Sequence, residues 1–160
     1  TADWAEQQKL INGVEEDINS MHNSVNNMRK VKKQIDSYNE LLKTDPNAKD
    51  LINTGKDIVK KIEGWESNIV EPRSKGFQDV INFPNKLNSE YMNVKGSLDT
   101  HDPRVTQGAR ERLGDIQQQW SKLKNSLQKI NQDIDRYNQM FKEKNYPAVI
   151  SEKKEQQISN

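Results

Sequence analysis

The chain contains no cysteine, which removes disulfide staples, thiol catalysis and thiolate metal sites together. Histidine is nearly as scarce: His22 and His101 are the only two, and neither has a second histidine three or four residues on, so a zinc-binding helix face is not available. Charge of one sign is missing as well. The 25 basic residues against 24 acidic ones leave a net charge of +1, which offers no electrostatic footprint for nucleic acid or an anionic membrane. No apolar run approaches the roughly 18 residues of a membrane span, which excludes membrane insertion of a helix. The seven glycines, at 13, 55, 64, 76, 96, 108 and 114, never form a glycine-rich turn of the kind that cradles phosphate. Hydrophobic residues make up only 31% of the chain and mean hydropathy is −1.10, low for a compact globule.

What is present is periodicity. Ala109, Leu113, Ile116, Trp120, Leu123, Leu127, Ile130, Ile134, Tyr137 and Phe141 follow one another at steps of three or four residues with polar side chains between them. That spacing draws one narrow apolar seam along a helix of about ten turns. Such a seam needs partner helices. Disorder would also explain a polar composition, but ordered apolar periodicity and balanced charge argue against it. A long bundle, two or three helices across, needs only a stripe of core and reconciles the figures.

The first helix is expected over residues 3–43, on a seam of Ile11, Val14, Ile18, Met21, Val25, Met28, Ile35 and Leu42. Val31 and Tyr38 flank it. Lys32 is its one polar intruder, read as a stem along the core with its ammonium in water. Asp45-Pro46 supplies an N-cap and a first-turn proline for a second helix over 46–70, with Leu51, Gly55, Ile58, Ile62, Trp65 and Ile69 as its seam. Gly55 in that stripe permits a close helix approach. A third helix is expected from Pro84, through Leu87, Tyr91, Val94 and Leu98, and a fourth from an N-cap at Thr106 to about residue 144, before Pro147.

The fold class is therefore all-α: an elongated up-down-up-down four-helix bundle with two long helices, first and last, and two shorter ones. Residues 1–150 form a single helical-bundle domain in this reading, and 151–160, with Ile158 as the only apolar residue, a flexible tail. The unequal lengths imply that parts of the long helices project beyond the short ones. The connection 71–83 is longer than bundles usually need and too apolar for a free linker. It is expected to pack over the bundle with Phe77 or Phe83 buried, and Phe77, Asp79 and Phe83, with the adjoining Pro84 and Asn85, are the candidate interaction residues of this loop.

Chemistry is harder to place. His101, between Asp99 and Asp102, fits a loose cation site and equally a solvated helix–helix turn. The basic run Arg29-Lys30-Val31-Lys32-Lys33 has Asp36 and Glu40 close by on the same helix to neutralise part of it. Trp65 and Trp120 sit on seams and read as core, whereas Trp4 precedes the first regular heptad. The acidic residues Glu15, Asp17, Asp36, Glu40, Asp133 and Asp135 fall beside or opposite the seams, not in a pair facing one sugar site. No catalytic, metal or cofactor-binding residue is assigned, and no cofactor is expected.

Several stretches together resemble a known family. Ile11-Asn12-Gly13-Val14, Val25-Asn26-Asn27-Met28-Arg29-Lys30-Val31-Lys32-Lys33-Gln34-Ile35, Ile81-Asn82-Phe83-Pro84-Asn85-Lys86-Leu87-Asn88 and Asp102-Pro103-Arg104-Val105-Thr106-Gln107-Gly108-Ala109 are similar to the C-terminal helical region of bacterial sortilin-like, BNR-repeat β-propeller proteins, often labelled glycosyl hydrolase-like. The closing Asn145-Tyr146-Pro147-Ala148-Val149-Ile150 looks like the end of such chains. The resemblance implies a large exported parent, hence an extracytoplasmic location, with propellers upstream and its export signal outside this segment. Any glycosidase-like activity would belong to those propellers. It also implies upstream domains of the same polypeptide as partners, beside protein partners or self-association. The function expected is a non-catalytic interaction, spacer or assembly module; a ligand-sensing four-helix bundle is the alternative, to which Lys32 and Tyr38 would contribute polar groups.

Overall fold

The computed structural model describes residues 1–71 and 86–150. Among them the regular structure is all helical, with two long helices and two shorter ones packed as a bundle. Helix α1 spans Ala2–Leu42, a single 3₁₀ turn spans Pro46–Ala48, and α2 spans Lys49–Glu66. Helix α3 spans Leu87–Leu98 and α4 spans Gln107–Glu143.

The local signals in the sequence act as their chemistry dictates. The Asp45 side chain accepts from the backbone N–H of Asn47 at 2.9 Å, with Pro46 filling a position whose N–H would be orphaned. Thr106 caps α4 by accepting from Ala109 N–H at 3.1 Å. At the other end of α4, Asn145 adopts a positive φ of 57°, the left-handed conformation that ends helices. Every predicted seam residue of α1, from Ile11 to Leu42, is buried, as are Leu51, Gly55, Ile58, Ile62 and Trp65 of α2 and Ile69 just beyond it.

The cross-helix contacts fix the directions. Descending α1 from Asn39 to Gln7, the partners climb without reversal: Asn39 lies over Gly55, Lys32 pairs with Glu63 at 2.7 Å, Arg29 with Glu66, Asp17 with Tyr91 at 2.8 Å, Glu15 with Lys95 at 2.7 Å, and Gln7 with Leu98 at 2.6 Å. Helices α2 and α3 therefore run the same way, end to end along α1. Along α4 the partners descend in turn: Arg112 meets Glu90 at 2.6 Å, the Leu123 carbonyl accepts from Trp65 Nε1 at 2.9 Å, Asp133 meets Lys61 at 2.6 Å, and Lys144 meets Asp50 at 2.9 Å.

The up-down-up-down order is thus corrected. The molecule has three legs: α1, then α2 and α3 stacked as one, then α4 parallel to α1. An up-down-up-down order needs the connection after α2 to carry the chain to a new antiparallel position, but the described residues on its two sides meet at one point of the rod. There the N–H groups of Leu87 and Asn88 donate to the carbonyls of Asn68 and Ile69 at 3.2 and 3.0 Å. Stacking also removes the expected overhang, because the middle leg reaches from the turn after α1 to the turn before α4. Both long helices pack against both short ones, and the long pair approach each other less closely. The core runs the length of the rod, from Val14 and Leu98 near one end to Leu42 and Tyr137 near the other.

Candidate functional site

The five residues proposed from the sequence for recognition, Phe77, Asp79, Phe83, Pro84 and Asn85, lie outside the described residues, as does the tail 151–160. What remains is the rod's surface and its two ends.

A shallow groove of about 890 Å³ runs between α1 and α2, lined by Arg29, Lys32, Asp36, Glu40, Glu63 and Glu66 among others. It contains most of the basic run. The expected Asp36 does attract Lys32, but the direct bonds come from α2: Arg29 Nε donates to Glu66 Oε1 at 2.7 Å and Lys32 bonds Glu63 across the helix pair, while Glu40 turns to Lys43. The hydrogen bond to Glu63 holds the Lys32 ammonium above its ordinary pKa, against the opposing effect of desolvation. Cation and carboxylate alternate along the groove, so it presents no field of one sign to a polyanion.

At the end where α1 begins, Gln7 is a buried polar side chain that periodicity did not single out. Its Nε2 donates to the carbonyls of Leu98, Thr100 and Asp102 at 2.6, 3.1 and 3.4 Å, closing the turn that follows α3. Leu98 is the last residue of α3, and its carbonyl and that of Asp102 also accept from the N–H and the hydroxyl of Thr100, so Gln7 joins a turn that is already bonded within itself. A glutamine at heptad spacing from Ile11 and Val14 was the available signal. In the same turn Arg104 holds the Asp102 carboxyl down to about 2, chiefly through its side-chain hydrogen bond. His101 is exposed. Among the described residues no three His, Asp or Glu side chains gather as metal ligands.

At the opposite end the chain folds back after α4. Tyr146 donates to Asp45 at 2.5 Å, Tyr38 donates to the Ala148 carbonyl at 2.9 Å, and the Tyr38, Phe141 and Tyr146 rings stack edge to face or tilted at 5.0 and 5.6 Å. Lys144 reaches the Asn47 carbonyl at 2.6 Å. The segment through residue 150 therefore packs against the α1–α2 turn, with a cavity of about 820 Å³ between them.

Four of the six carboxylates weighed for glycoside chemistry are engaged with separate partners, Glu40 with Lys43 among them. Glu15 pairs with Lys95, Asp17 accepts from the Tyr91 hydroxyl, and Asp133 pairs with Lys61. Trp65 and Trp120 are core residues; Trp4 is 50% exposed. His22 contacts Asn88 at 3.4 Å on the surface. No helix among the described residues is long and apolar enough to cross a membrane. No protein family, curated protein or solved structure matches the chain.

Proposed function

We propose that the chain is a non-catalytic spacer and assembly module that holds apart whatever is joined to its two ends. The observation that carries this reading is the odd number of legs. The N-terminus of α1 and the C-terminus of α4 lie at opposite ends of the rod, and α1 alone, at 41 residues, is about 60 Å long. A continuous core along the rod supplies the stiffness such a role needs. The resemblance to the helical region of exported BNR-repeat β-propeller proteins gives the reading its setting: upstream propellers at one end and an extracytoplasmic location. Glycosidase-like activity, in that setting, resides in the propellers.

The ligand-sensing alternative draws less support. It relied on Lys32 and Tyr38 as polar groups inside a bundle, whereas Lys32 pairs with Glu63 in a surface groove and the Tyr38 hydroxyl is taken by the Ala148 carbonyl.

The test is energy transfer between two fluorescent domains fused before Thr1 and after Ile150. A spacer gives low transfer, which rises when the module is replaced by a short flexible linker. Equal transfer in the two fusions would sink the reading. A fluorogenic glycoside panel on the same protein is expected to give no turnover above buffer.

A further inference from the structure

From the junction of α2 and α3 we infer that the middle leg keeps a single helical register through two stacked helices, carried across a 15-residue excursion, so that the rod closes without residues 72–86. The first observation is the hydrogen bonding. If residues 72–86 are set aside, Leu87 takes the place of residue 72 and Asn88 that of residue 73. Leu87 N–H to Asn68 carbonyl, and Asn88 N–H to Ile69 carbonyl, then have the i→i−4 spacing of an α-helix, although 67–69 form a turn after α2. Carbonyls of the turn that follows α2 thus satisfy the first two N–H groups of α3, which has no side-chain cap.

The second observation is independent of the first. The buried positions of the leg are Leu51, Gly55, Ile58, Ile62, Trp65 and Ile69, then Leu87, Tyr91, Val94 and Leu98. Counted with the excursion removed, the step from Ile69 to Leu87 is three, and the alternation of four and three continues unbroken across the junction. An arbitrary insertion length would have rotated one half of the seam away from α1 and α4 by about 100° per residue. The ion pairs on either side, Lys32–Glu63 below and Glu15–Lys95 above, keep the same order on α1. The length and direction of the rod are therefore set by the seam, and whatever the excursion does is separable from holding them.

Three deletions test this. Removing 72–86 joins Glu71 to Leu87 in phase, whereas removing 72–85 or 71–86 leaves one residue too many or too few while keeping every seam residue. The in-phase deletion is expected to keep the helical circular dichroism of the full chain, one cooperative unfolding transition, and an unchanged distance between spin labels at positions 15 and 95. The two out-of-phase deletions are expected to shift the denaturant midpoint downward and to broaden or displace that distance. Failure of the in-phase variant to fold, or equal behaviour of all three, would overturn the inference. The spacer reading is judged separately, by the separation of the rod's ends in the intact chain.

Discussion

Two glycines of α2 meet opposite surroundings, and their substitution should separate packing from propensity. A Cβ on Gly55 would stand 2.9 Å from Ile35 Cγ2 and from Asn39 Oδ1, whereas a Cβ on Gly64 meets nothing within 4 Å. Gly55→Ala is therefore expected to destabilise by about 1–3 kcal/mol through overpacking. Gly64→Ala should stabilise by about 0.5–1 kcal/mol, since only the entropic cost of glycine in a helix is removed. Denaturant titration of the two variants reads both signs. The close approach at Gly55 was legible from its place in the seam. The role of Gln7 was not, because its partners, the carbonyls after α3, lie more than ninety residues away in the chain.

The tyrosines set the alkaline limit. Burial pushes Tyr137 up to about 12; burial, and then the bond to Asp45, do the same for Tyr146. Tyr91 is raised as well, first by burial and then by Asp17. An unfolded phenol ionises near pH 10. Below that value both states hold the proton and the stability is fully present. Between about 10 and 12 the unfolded state releases protons the folded state retains, so stability falls as pH rises. Unfolding in urea at pH 9 and pH 11 should give a lower midpoint at pH 11. Absorbance at 295 nm should show part of the tyrosine titrating only on unfolding. Equal midpoints would contradict the burial of these hydroxyls.

At the scale of the elements, helix existence, capping and seam were legible because each depends on residues within a turn or two. Asp45 and Thr106 cap, and Ile11 to Leu42 face inward, as spacing alone requires. Helix direction was not legible, because the phase between Ile69 and Leu87 appears only when the excursion is discounted. Reading the third seam by itself loses that phase, and a long connection then suggests a reversal. Nor does period alone grade burial along α4. Leu113, Ile116, Trp120, Ile130 and Tyr137 are buried, but Leu123, Leu127 and Ile134 are half-buried against the core. Ile130→Ala should cost about 2–5 kcal/mol. Leu123→Ala, at a site already partly open, should cost less than Ile130→Ala, and Gln128→Ala on the exposed face less than about 0.5 kcal/mol. Equal losses at positions 123 and 128 in denaturant titrations would mean that Leu123 contributes no core contact. The candidate recognition residues were chosen for an apolar connection of unusual length. Their positions fall outside the described residues, so the structure adds nothing to that choice.

At the scale of the whole molecule, the number of legs decides the function proposed. An even number returns the chain to the end where it started and makes a clasp; three carry it from one end to the other and make a strut. The ion pair between Glu6 and Arg110 places the starts of α1 and α4 side by side, and the Tyr38–Phe141 contact places their far parts together, so the two long helices run in parallel. The most direct measurement is the distance between spin labels on exposed Ala5 and Lys142, near opposite ends of this parallel pair. From the level of Arg110 to residue 142 the rise along α4 is about 48 Å, and a narrow distribution near that value is the expected result. A distance under about 25 Å would return the end of α4 to the start of α1, restore the up-down-up-down arrangement, and contradict the three-leg rod.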